Sequence, residues 1–434
     1  MPRRSLWIIF AVIVVSLVCY ERADRNPYAR YFGEVLSYID RSYVEPVDER
    51  KLFEGAVQGM IGQLDDEYTA YLGPRDARHF QEALDQKFGG IGIEVSLDPK
   101  TKELVVLSPL SGSPAYKAGV RAGDRIVGVA GRSTKGFTLS DAVKFLRGPV
   151  GTTVRVQVLH HGAEEPVEYE IARDQIRVDS VFGFSRKSDG TWNYFVPGPQ
   201  RLAYIRVDSF GDRTVEELRA ALHSVHEQNA KGLILDLRNN PGGFLEGAKE
   251  TCDLFVPNNA LIVTTRGRGG ELRDEFRASG DEKYLTIPMA VLVNRYTASA
   301  AEIVAACLED NDRAVVVGER SWGKGTVQNV IPVEGGKSVL KLTTATYWRP
   351  SGKNIHRLKS SQATDEWGVM PSPGLEVKLS DADFGKWLES KRLQDMPPRP
   401  GSPTRAYDPQ LDRALKHFEQ KVRPTAQPQQ AART

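Results

Sequence analysis

Four apolar runs in the second half of the chain constrain its fold more than any other feature. They are LAYIRV, GLILDL, MAVLVN and AVVVGE, and they lie between residues 202 and 319. The segments that separate them carry apolar residues at three- and four-residue spacing, which is typical of helices. Buried strands that alternate with helices indicate βαβ units, whose strands form a parallel sheet. The sequence therefore predicts an α/β core from about residue 200 onward.

The other segments have different patterns. Residues 26–86 carry apolar residues at helical spacing and predict an N-terminal helical region. Residues 87–174 hold short β-rich runs divided by turn residues, such as RIVGVAG and TVRVQVLHHG. We assign the parallel core to residues 175–380 and a C-terminal tail to residues 381–434. The tail after DMPPRPGSP is proline-rich, which indicates a loose segment, and it contains one amphipathic helix, DPQLDRALKHFEQ.

The first residues predict contact with a membrane. Arg3 and Arg4 precede an uncharged apolar run, LWIIFAVIVVSLVCY. The length of this run lies between that of a signal-peptide core and that of a full membrane span. We interpret residues 1–24 as a signal anchor or signal peptide. The two arginines would keep the N-terminus in the cytoplasm and place the chain after Glu21 outside it.

Charge and composition exclude several classes of protein. The 58 Lys and Arg residues nearly balance the 56 Asp and Glu residues, and a net charge of +2 provides no basic stripe for nucleic acid. Cys19, Cys252 and Cys307 have neither metal-ligand spacing nor a disulfide framework, so buried thiols are the simpler interpretation. No His-Glu-x-x-His motif occurs in the sequence. The sequence therefore predicts no metal and no cofactor.

The stretch GERSWGKGTVQ, residues 318–328, is close in pattern to a nucleotide-binding P-loop. A P-loop needs a hydroxyl residue directly after its lysine to bind magnesium, and a following helix to hold phosphate. Here Gly325 follows Lys324, and the segment GTVQNVIPV is β-branched and predicts a strand. Nucleotide binding is therefore the weaker alternative, and Lys324 is better explained as a group that handles a proton.

A candidate nucleophile precedes this loop by one strand–helix unit. In VLVNRYTASAAEIVAACLEDN a strand ends at Asn294 and a helix begins near Ser299. In a right-handed βαβ unit the loops of Ser299 and Lys324 lie at the same sheet edge, and neighbouring strands are about 4.8 Å apart. A neutral lysine could then take the serine proton, while the N–H of Ala300 faces the developing oxyanion. SAAE is also a capping box, in which Ser299 only caps its helix and Glu302 reaches back.

The environment of the lysine decides whether it can be a base. A lysine is neutral near pH 7 only where burial lowers its pKa. We therefore expect Lys324 to be buried and Trp322 to exclude water from it. A second oxyanion donor could come from DLRNNPGG, residues 236–243, which follows another parallel strand. The alternative for both glycine-rich loops is an ordinary solvated turn.

Taken together, the motifs are similar to those of a known family. NRYTASAAEI, VGERSWGKGTVQ, DLRNNPGG and TATYWRPSGKNI resemble the carboxyl-terminal processing peptidases, or tail-specific proteases, over roughly residues 30–380. The resemblance implies a serine endopeptidase with a crotonase/ClpP-like αβ core, a PDZ domain before it and an N-terminal helical segment. It implies that Ser299 is the nucleophile and Lys324 the general base, that Gln328 positions the lysine, and that Gly243 and Ala300 are the oxyanion donors.

The β-rich unit resembles the PDZ domain of the same family. SPAYKAGVRAGDRIVGVAG carries this likeness, together with GGIGIEV, which matches the loop that binds a peptide carboxylate. The resemblance implies that Gly90, Ile91, Gly92 and Ile93 bind the peptide through backbone N–H groups, while the sheet edge accepts a strand. Arg147, in LRG, matches a position that couples peptide binding to activation.

These observations lead to one expectation and two alternatives. We expect an envelope-anchored bacterial serine endopeptidase whose catalytic domain lies on the periplasmic side. Its partners would be protein substrates with a free apolar C-terminus and, through its N-terminal segment, the membrane; a homo-oligomer or an adaptor is left open, and nucleic acid is not expected. A catalytically inactive PDZ scaffold is the first alternative, and a nucleotide-binding protein is the second.

Overall fold

The computed structural model describes most of the chain. The described residues are positions 7 and 14 and the ranges 26–98, 101–110, 112–160, 162–187, 189–280, 284, 286–396 and 407–422. The predicted membrane segment, residues 1–24, lies outside them except for positions 7 and 14, as does the proline-rich linker at residues 397–406. Within the described part of the chain, no helix has both the length and the apolar character needed to cross a bilayer.

Helices and strands alternate along the described residues. The helices are α1 (Pro27–Ser42), α2 (Glu49–Gly62), α3 (Pro74–Leu84), α4 (Pro114–Ala118), α5 (Leu139–Leu146), α6 (Thr214–Glu227), α7 (Leu245–Asp253), α8 (Ala300–Asp310), α9 (Asp381–Asp395) and α10 (Pro409–Val422). The strands are β1 (Ala70–Leu72), β2 (Lys87–Gly90), β3 (Ile93–Leu97), β4 (Leu104–Pro109), β5 (Arg125–Val129), β6 (Arg132–Ser133), β7 (Thr153–Leu159), β8 (Val167–Ala172), β9 (Asp174–Arg177), β10 (Val181–Phe182), β11 (Ser185–Arg186), β12 (Trp192–Asn193), β13 (Leu202–Val207), β14 (Gly232–Asp236), β15 (Leu261–Arg266), β16 (Leu272–Arg277), β17 (Met289–Val293), β18 (Ala314–Gly318), β19 (Thr326–Val333) and β20 (Ser338–Trp348).

The chain forms two compact units. Of the described residues, one unit comprises those up to residue 77 together with 328–343, and the other comprises those in the ranges 78–327 and 344–422. In the first unit, the predicted helices α1 and α2 begin at side-chain caps, which Asn26 and Asp48 provide. In the same unit, β1 pairs antiparallel with the first part of β20.

The β-rich part of the second unit is a small sheet domain. Its strands follow the order β3-β4-β5-β7-β8, and β6 pairs with β5. Inward-facing residues of β4, β5 and β7 pack against α4 and α5 to form a separate apolar core. Because β3 is the end strand of this order, one of its edges carries no neighbouring strand of this sheet.

The predicted parallel sheet is confirmed. The strand order is β10-β13-β14-β17-β18, and the last four strands run parallel to one another. In this register Asp236 lies opposite Leu292, and Val293 lies opposite Gly318, so the carboxyl ends of β14, β17 and β18 meet at one edge. The loops that follow these strands are therefore neighbours, as the motif positions predicted.

Both faces of the parallel sheet are covered, as such sheets require. One face packs against α6, α7 and α8. The other packs against α10, whose buried residues Leu411, Ala414 and Phe418 lie against Tyr204 and Ile234 of the sheet. The described part of the C-terminal tail is thus built into the core, and the prediction of a loose tail is wrong for that part, because the apolar face of α10 covers the sheet. It also holds α9, a second helix that the sequence analysis did not predict.

Candidate active site

Ser299 lies in a strained turn between β17 and α8. Its φ of 58° and ψ of −121° fall in a region that non-glycine residues rarely occupy. The turn is fixed by Thr297, whose hydroxyl donates to the carbonyl of Leu237 at 2.8 Å and accepts the N–H of Asn294 at 3.0 Å. Strain held by surrounding hydrogen bonds occurs mainly at functional sites, where it presents a side chain in one orientation.

The capping box predicted for SAAE is present at the start of α8. The carboxylate of Glu302 accepts the backbone N–H of Ser299 at 2.8 Å, which is the expected reach back to the start of the helix. The N–H of Glu302 donates to the main-chain carbonyl of Ser299, also at 2.8 Å. The main-chain carbonyl can therefore satisfy the N–H of Glu302 when the hydroxyl of Ser299 is engaged elsewhere.

Glu302 also binds the loop that carries the lysine. Its Oε2 accepts the backbone N–H of Lys324 at 2.8 Å, and its Oε1 accepts the N–H of Gly323 at 2.7 Å and the hydroxyl of Ser321 at 2.6 Å. The N–H of Ser299 binds the same Oε2 at 2.8 Å. Because both backbone nitrogens, of Ser299 and of Lys324, lie 2.8 Å from this one oxygen, the distance between them is at most twice 2.8 Å. The structure thus brings the predicted nucleophile and the predicted base together on one carboxylate.

The ionisation of Glu302 is governed by two opposed effects. Its side chain is fully buried, and this burial raises the pKa of Glu302 to about 7. The hydroxyl of Ser321 and the backbone N–H groups of Gly323, Ser299 and Lys324 stabilise the charged form and limit the rise. All four groups donate hydrogen bonds. An ionised carboxylate can accept all four, whereas a protonated one uses part of one oxygen to hold its own proton.

The lysine loop is packed closely against its neighbours. The N–H of Trp322 donates to the carbonyl of Thr297 at 2.9 Å, which joins this loop directly to the turn of Ser299. A β-carbon on Gly325 would lie 2.2 Å from the backbone nitrogen of His356, so only glycine fits there.

The expected burial of the lysine needs correction. Lys324 is half-buried, and the side chain of Trp322 is 46% exposed. The prediction of a buried lysine with water excluded by Trp322 is therefore wrong for this structure. The physical reason is that the loop is fixed through its backbone, by Glu302 and Thr297, which leaves these two side chains nearer the surface.

The loop after β14, residues 237–243, is here called the glycine loop. A β-carbon on Gly242 would lie 2.8 Å from the β-carbon of Ser299 and 3.0 Å from the nitrogen of Ala300. Gly243 has a φ of 142°, and a β-carbon there would lie 2.1 Å from the carbonyl oxygen of Phe210. The glycine loop therefore lies directly against the first residues of α8 through Gly242, and the pairing of Gly243 with Ala300 as oxyanion donors stays a prediction.

Asparagines fix the glycine loop to the turn of Ser299. The amide of Asn294 donates to the side-chain oxygen of Asn239 at 2.8 Å, and its own oxygen accepts the N–H of Asn239 at 3.0 Å. The carbonyl of Asn240 accepts the N–H of Ala298 at 2.9 Å, and its side chain accepts the N–H of Gly242 at 2.8 Å. DLRNNPGG is thus a fixed structure and not a solvated turn.

Gln328 lies on β19, in the unit that contains residues 328–343. Its side-chain amide donates to the hydroxyl of Thr343 at 3.3 Å. The backbone N–H of Thr343 in turn donates to the hydroxyl of Thr69 at 3.0 Å. These contacts fix the side chain of Gln328 within its own unit, and its role toward Lys324 stays a prediction.

The residues predicted to bind a peptide also lie together. Gly90, Ile91, Gly92 and Ile93 form the link between β2 and the end strand β3, and the carbonyl of Gly92 accepts the hydroxyl of Ser113 at 2.8 Å. A β-carbon on Gly92 would lie 2.4 Å from the β-carbon of Ser113. Close packing against α4 therefore requires glycine at this position.

Arg147 contacts the strand that enters this link. Its guanidinium lies 3.8 Å from the ring centre of Phe88, on β2. The N–H of Gly148 donates to the carbonyl of Gly89 at 3.1 Å. The end of α5 is thus joined to the start of the predicted carboxylate loop.

Other candidate groups are not assembled into a site. Cys252 and Cys307 are fully buried in the core, as the sequence predicted. Among the residues that the structure describes, no cluster of three or more His, Cys, Asp or Glu side chains could hold a metal ion.

Comparison with known proteins identifies the family. A model of peptidase family S41 matches residues 201–363, a PDZ-domain model matches residues 105–159, and a model of the N-terminal domain of the activating protease CtpB matches residues 24–75. The carboxy-terminal-processing protease of Bartonella bacilliformis is 33% identical over 399 residues, which cover 90% of this chain and 88% of the relative. The chain belongs to peptidase family S41.

Other members of the family agree with this assignment. The carboxy-terminal processing protease CtpA of Bacillus subtilis is 36% identical over 348 residues, which cover 80% of this chain and 68% of the relative. A solved S41 protease from Bacteroides fragilis has a TM-score of 0.52 at 17% identity and covers 89% of this chain and 95% of its own, which shows the fold. The S41 chain is therefore a serine-type peptidase, and the predicted α/β class with a peptidase core, a PDZ domain and N-terminal helices is confirmed.

Sequence reasoning missed the main role of one site residue. Glu302 was recognised only as the acidic partner in a capping box. Its bonds to Ser321, Gly323 and Lys324 join segments that lie 19 to 22 positions apart in the sequence. The signal that could have found this role is Ser-x-x-Glu at a parallel-strand end, directly before a loop whose N–H groups need an acceptor.

Proposed function

We propose that this S41 peptidase cleaves proteins by acyl-enzyme chemistry with a Ser-Lys dyad and captures the free C-terminus of its substrate through the PDZ domain. The main support for the dyad is one carboxylate oxygen of Glu302 that binds both predicted catalytic residues. Oε2 of Glu302 accepts the backbone N–H groups of both Ser299 and Lys324, each at 2.8 Å. This arrangement fixes a serine at a strained turn beside a lysine, with the glycine loop against the serine.

The proposed mechanism assigns one role to each group. Bound substrate covers the half-buried Lys324 and excludes water from it, and the neutral lysine then takes the proton of the Ser299 hydroxyl as the oxygen attacks the scissile carbonyl. The backbone N–H groups of Ala300 and Gly243 stabilise the oxyanion of the tetrahedral intermediate. Protonated Lys324 then gives its proton to the leaving amine, and an acyl-enzyme forms. Water, deprotonated by Lys324, attacks the acyl carbon, the bond to the Ser299 oxygen breaks, and Lys324 returns the proton to that oxygen as the new carboxyl end leaves. Gln328 keeps the lysine amine in position.

Peptide capture is assigned to the link between β2 and β3. Backbone N–H groups of residues 90–93 form a concave site for a carboxylate. The open edge of β3 can accept an extended peptide as an additional strand. Because α5 packs beside β3 and its C-terminal end touches β2, Arg147 lies where peptide capture can be sensed.

Substitutions at the dyad test this function. With an unfolded protein substrate, Ser299→Ala and Lys324→Ala should each abolish cleavage. Lys231→Ala is the matched control, because Lys231 is exposed at the opposite edge of the sheet, before β14. Its cleavage rate should equal that of the wild type. Cleavage that persists in both dyad variants would refute the Ser-Lys mechanism, and a requirement for ATP would support nucleotide binding instead.

A modified substrate tests the PDZ role separately. A peptide with an amidated C-terminus has no carboxylate for the loop at residues 90–93. Its KM should rise relative to that of the same peptide with a free C-terminus. Equal KM values for the two peptides would count against C-terminal recognition without affecting the dyad.

We also propose that the peptidase lies on the periplasmic side of a bacterial envelope. The support is the apolar run after Arg3 and Arg4 and the bacterial origin of the relatives named above. An enzymatic reporter that is active only outside the cytoplasm, fused after residue 434, should be active. Replacement of the apolar run by polar residues should retain the reporter in the cytoplasm, and an unchanged location would contradict the proposal.

A further inference from the structure

A buried arginine connects the glycine loop with the C-terminal helices. The side chain of Arg238 is fully buried, two residues after the end of β14. Its Nε and Nη2 donate to the carboxylate of Asp236 at 2.9 and 2.6 Å. Its Nη1 and Nη2 donate to the two carboxylate oxygens of Asp408 at 2.7 and 2.8 Å. Such paired, charge-assisted bonds fix the guanidinium in both position and plane.

Asp408 is itself fixed from two sides. It directly precedes α10, and the N–H of Leu411 donates to its Oδ1 at 3.0 Å. The indole N–H of Trp387, on α9, donates to its Oδ2 at 3.1 Å. The ring of Trp387 also lies 4.6 Å from the guanidinium carbon of Arg238. Both C-terminal helices therefore contact the same arginine.

The charge of Arg238 depends on these partners. Burial by itself lowers the pKa of Arg238, but the carboxylates of Asp236 and Asp408 raise it above its ordinary value. Removing one partner of a buried charge leaves that charge uncompensated and strongly destabilises the folded arrangement around it. Removal of Asp408 would leave Arg238 with Asp236 and with the amide oxygen of Gln410, which accepts Nη1 at 3.1 Å.

The same C-terminal helices contact the turn of the nucleophile. Arg295 donates to the carboxylate of Asp381 at 2.9 Å, and the ring of Tyr296 lies 5.2 Å from that of Phe384. Phe384 in turn lies 5.5 Å from Trp387. Side chains of α9 thus form a continuous contact between the turn that precedes Ser299 and the arginine of the glycine loop.

We propose that Asp408 is a positioning residue of the active site. This inference rests on the function proposed above. Asp408 fixes the position of Arg238, and Arg238 fixes the glycine loop. The N–H of Gly243 is thereby placed to donate to the developing oxyanion. The glycine loop follows Arg238 without a break, and it contacts Ser299 through Gly242. A small displacement at Asp408 would therefore reach the oxyanion site.

The substitution Asp408→Asn tests this role in the full-length protein. It keeps the size of the side chain, removes its charge and presents an amide donor to the guanidinium donors. We expect kcat to fall by about tenfold to about a hundredfold, with KM for a C-terminal peptide unchanged, because displacements of about 1 Å cost rates of this order. The matched control is Glu419→Gln, an exposed acidic residue on the same helix that accepts a bond from Gln200; its kcat and KM should equal those of the wild type.

Circular dichroism would show whether Asp408→Asn folds. If it does not, a second variant tests the same role. Trp387→Phe keeps an aromatic ring and removes the donor to Asp408, and it should lower kcat with unchanged KM and an unchanged folded fraction. If Asp408→Asn folds and has the kcat of the wild type, the inference is overturned. If Asp408→Asn does not fold, a wild-type kcat in Trp387→Phe overturns it. The inference is also overturned if kcat falls only in proportion to the fraction of folded protein, because the loss is then a loss of folding. If the wild type itself shows no Ser299-dependent cleavage, the proposed function has failed instead.

Discussion

Gly242 and Ser299 are so close that a β-carbon on the glycine would lie 2.8 Å from the β-carbon of the serine. Gly242 also has a φ of 101°, which side chains other than hydrogen rarely allow. Two independent constraints therefore require glycine at this position. One is the backbone conformation of Gly242 itself, and the other is the approach of the glycine loop to the first residues of α8.

The first prediction concerns this contact. Gly242→Ala should lower kcat by about a hundredfold or more, because the added carbon must displace either the glycine loop or Ser299. Gly247→Ala is the control, since a β-carbon there would meet Phe210 at an ordinary distance of 3.5 Å. That variant lies within α7 and should be as active as the wild type and slightly more stable. Steady-state kinetics with one peptide substrate would check both, and equal kcat values for the two variants would contradict the account.

The second prediction concerns the carboxylate of Glu302. Glu302→Gln replaces one accepting oxygen by an NH2 group, although four donors surround the two oxygens. We expect the free energy of unfolding to fall by about 1–3 kcal/mol, the cost of leaving buried donors unpaired. We also expect kcat to fall at least about tenfold, because Ser299 and Lys324 lose a common acceptor. Glu246→Gln, at an exposed position on α7, is the control and should change neither quantity.

The third prediction is a dependence of stability on pH. The pKa of Glu302 is raised to about 7 by burial, whereas an unfolded chain titrates near about 4.3. Between these values the folded protein binds a proton at Glu302 that the unfolded chain has lost. The contribution of this group to the free energy of unfolding is therefore largest below about 4.3 and declines as pH rises through about 7.

Denaturant unfolding of the wild type and of Glu302→Gln, over that range of pH, isolates this contribution. The stability of the wild type relative to the variant should decrease as pH rises. A relative stability that stays constant or increases would show that Glu302 is ionised in the folded protein throughout.

The fourth prediction concerns the peptide site of the PDZ domain. Gly92→Ala should weaken binding of a peptide with a free C-terminus, because its β-carbon would lie 2.4 Å from that of Ser113 and push the loop aside. Gly131→Ala is the control, since both glycines have a φ of 73° but nothing lies within 4 Å of a β-carbon at Gly131. Both variants carry the cost of a positive φ, about 1–2 kcal/mol, and only Gly92→Ala adds the clash. Peptide titrations that give the same affinity for both would disprove a role for packing at Gly92.

Much of the core could be predicted from local patterns. Continuous apolar runs such as GLILDL and MAVLVN indicated buried parallel strands, and their loops had to meet at one edge. The placement of Ser299 near Lys324 followed from this topology alone. The strand after Lys324 was predicted from its β-branched residues, and it is present as β19.

The C-terminal helices could not be predicted in the same way. Helix α9 carries charged residues such as Lys391 among its apolar ones, and Lys391 is buried even so. Its environment is formed by Tyr204 and Asp395, and Tyr204 lies on the sheet, far away in sequence. Likewise, the sequence around Asp408 predicts only an ordinary N-cap residue, and its partner Arg238 lies 170 positions away. Partners separated by such distances leave no periodic signal in the sequence.

Covalent labelling of the active site tests the central claim most directly. A fluorophosphonate reacts with a serine only if a base activates the hydroxyl and an oxyanion site receives the phosphoryl oxygen. We predict an adduct on Ser299 in the wild type, located by peptide mass spectrometry, no adduct in Ser299→Ala, and a strongly reduced rate of labelling in Lys324→Ala. Labelling at a different residue, or labelling of Ser299 at an unchanged rate in Lys324→Ala, would contradict the Ser-Lys dyad.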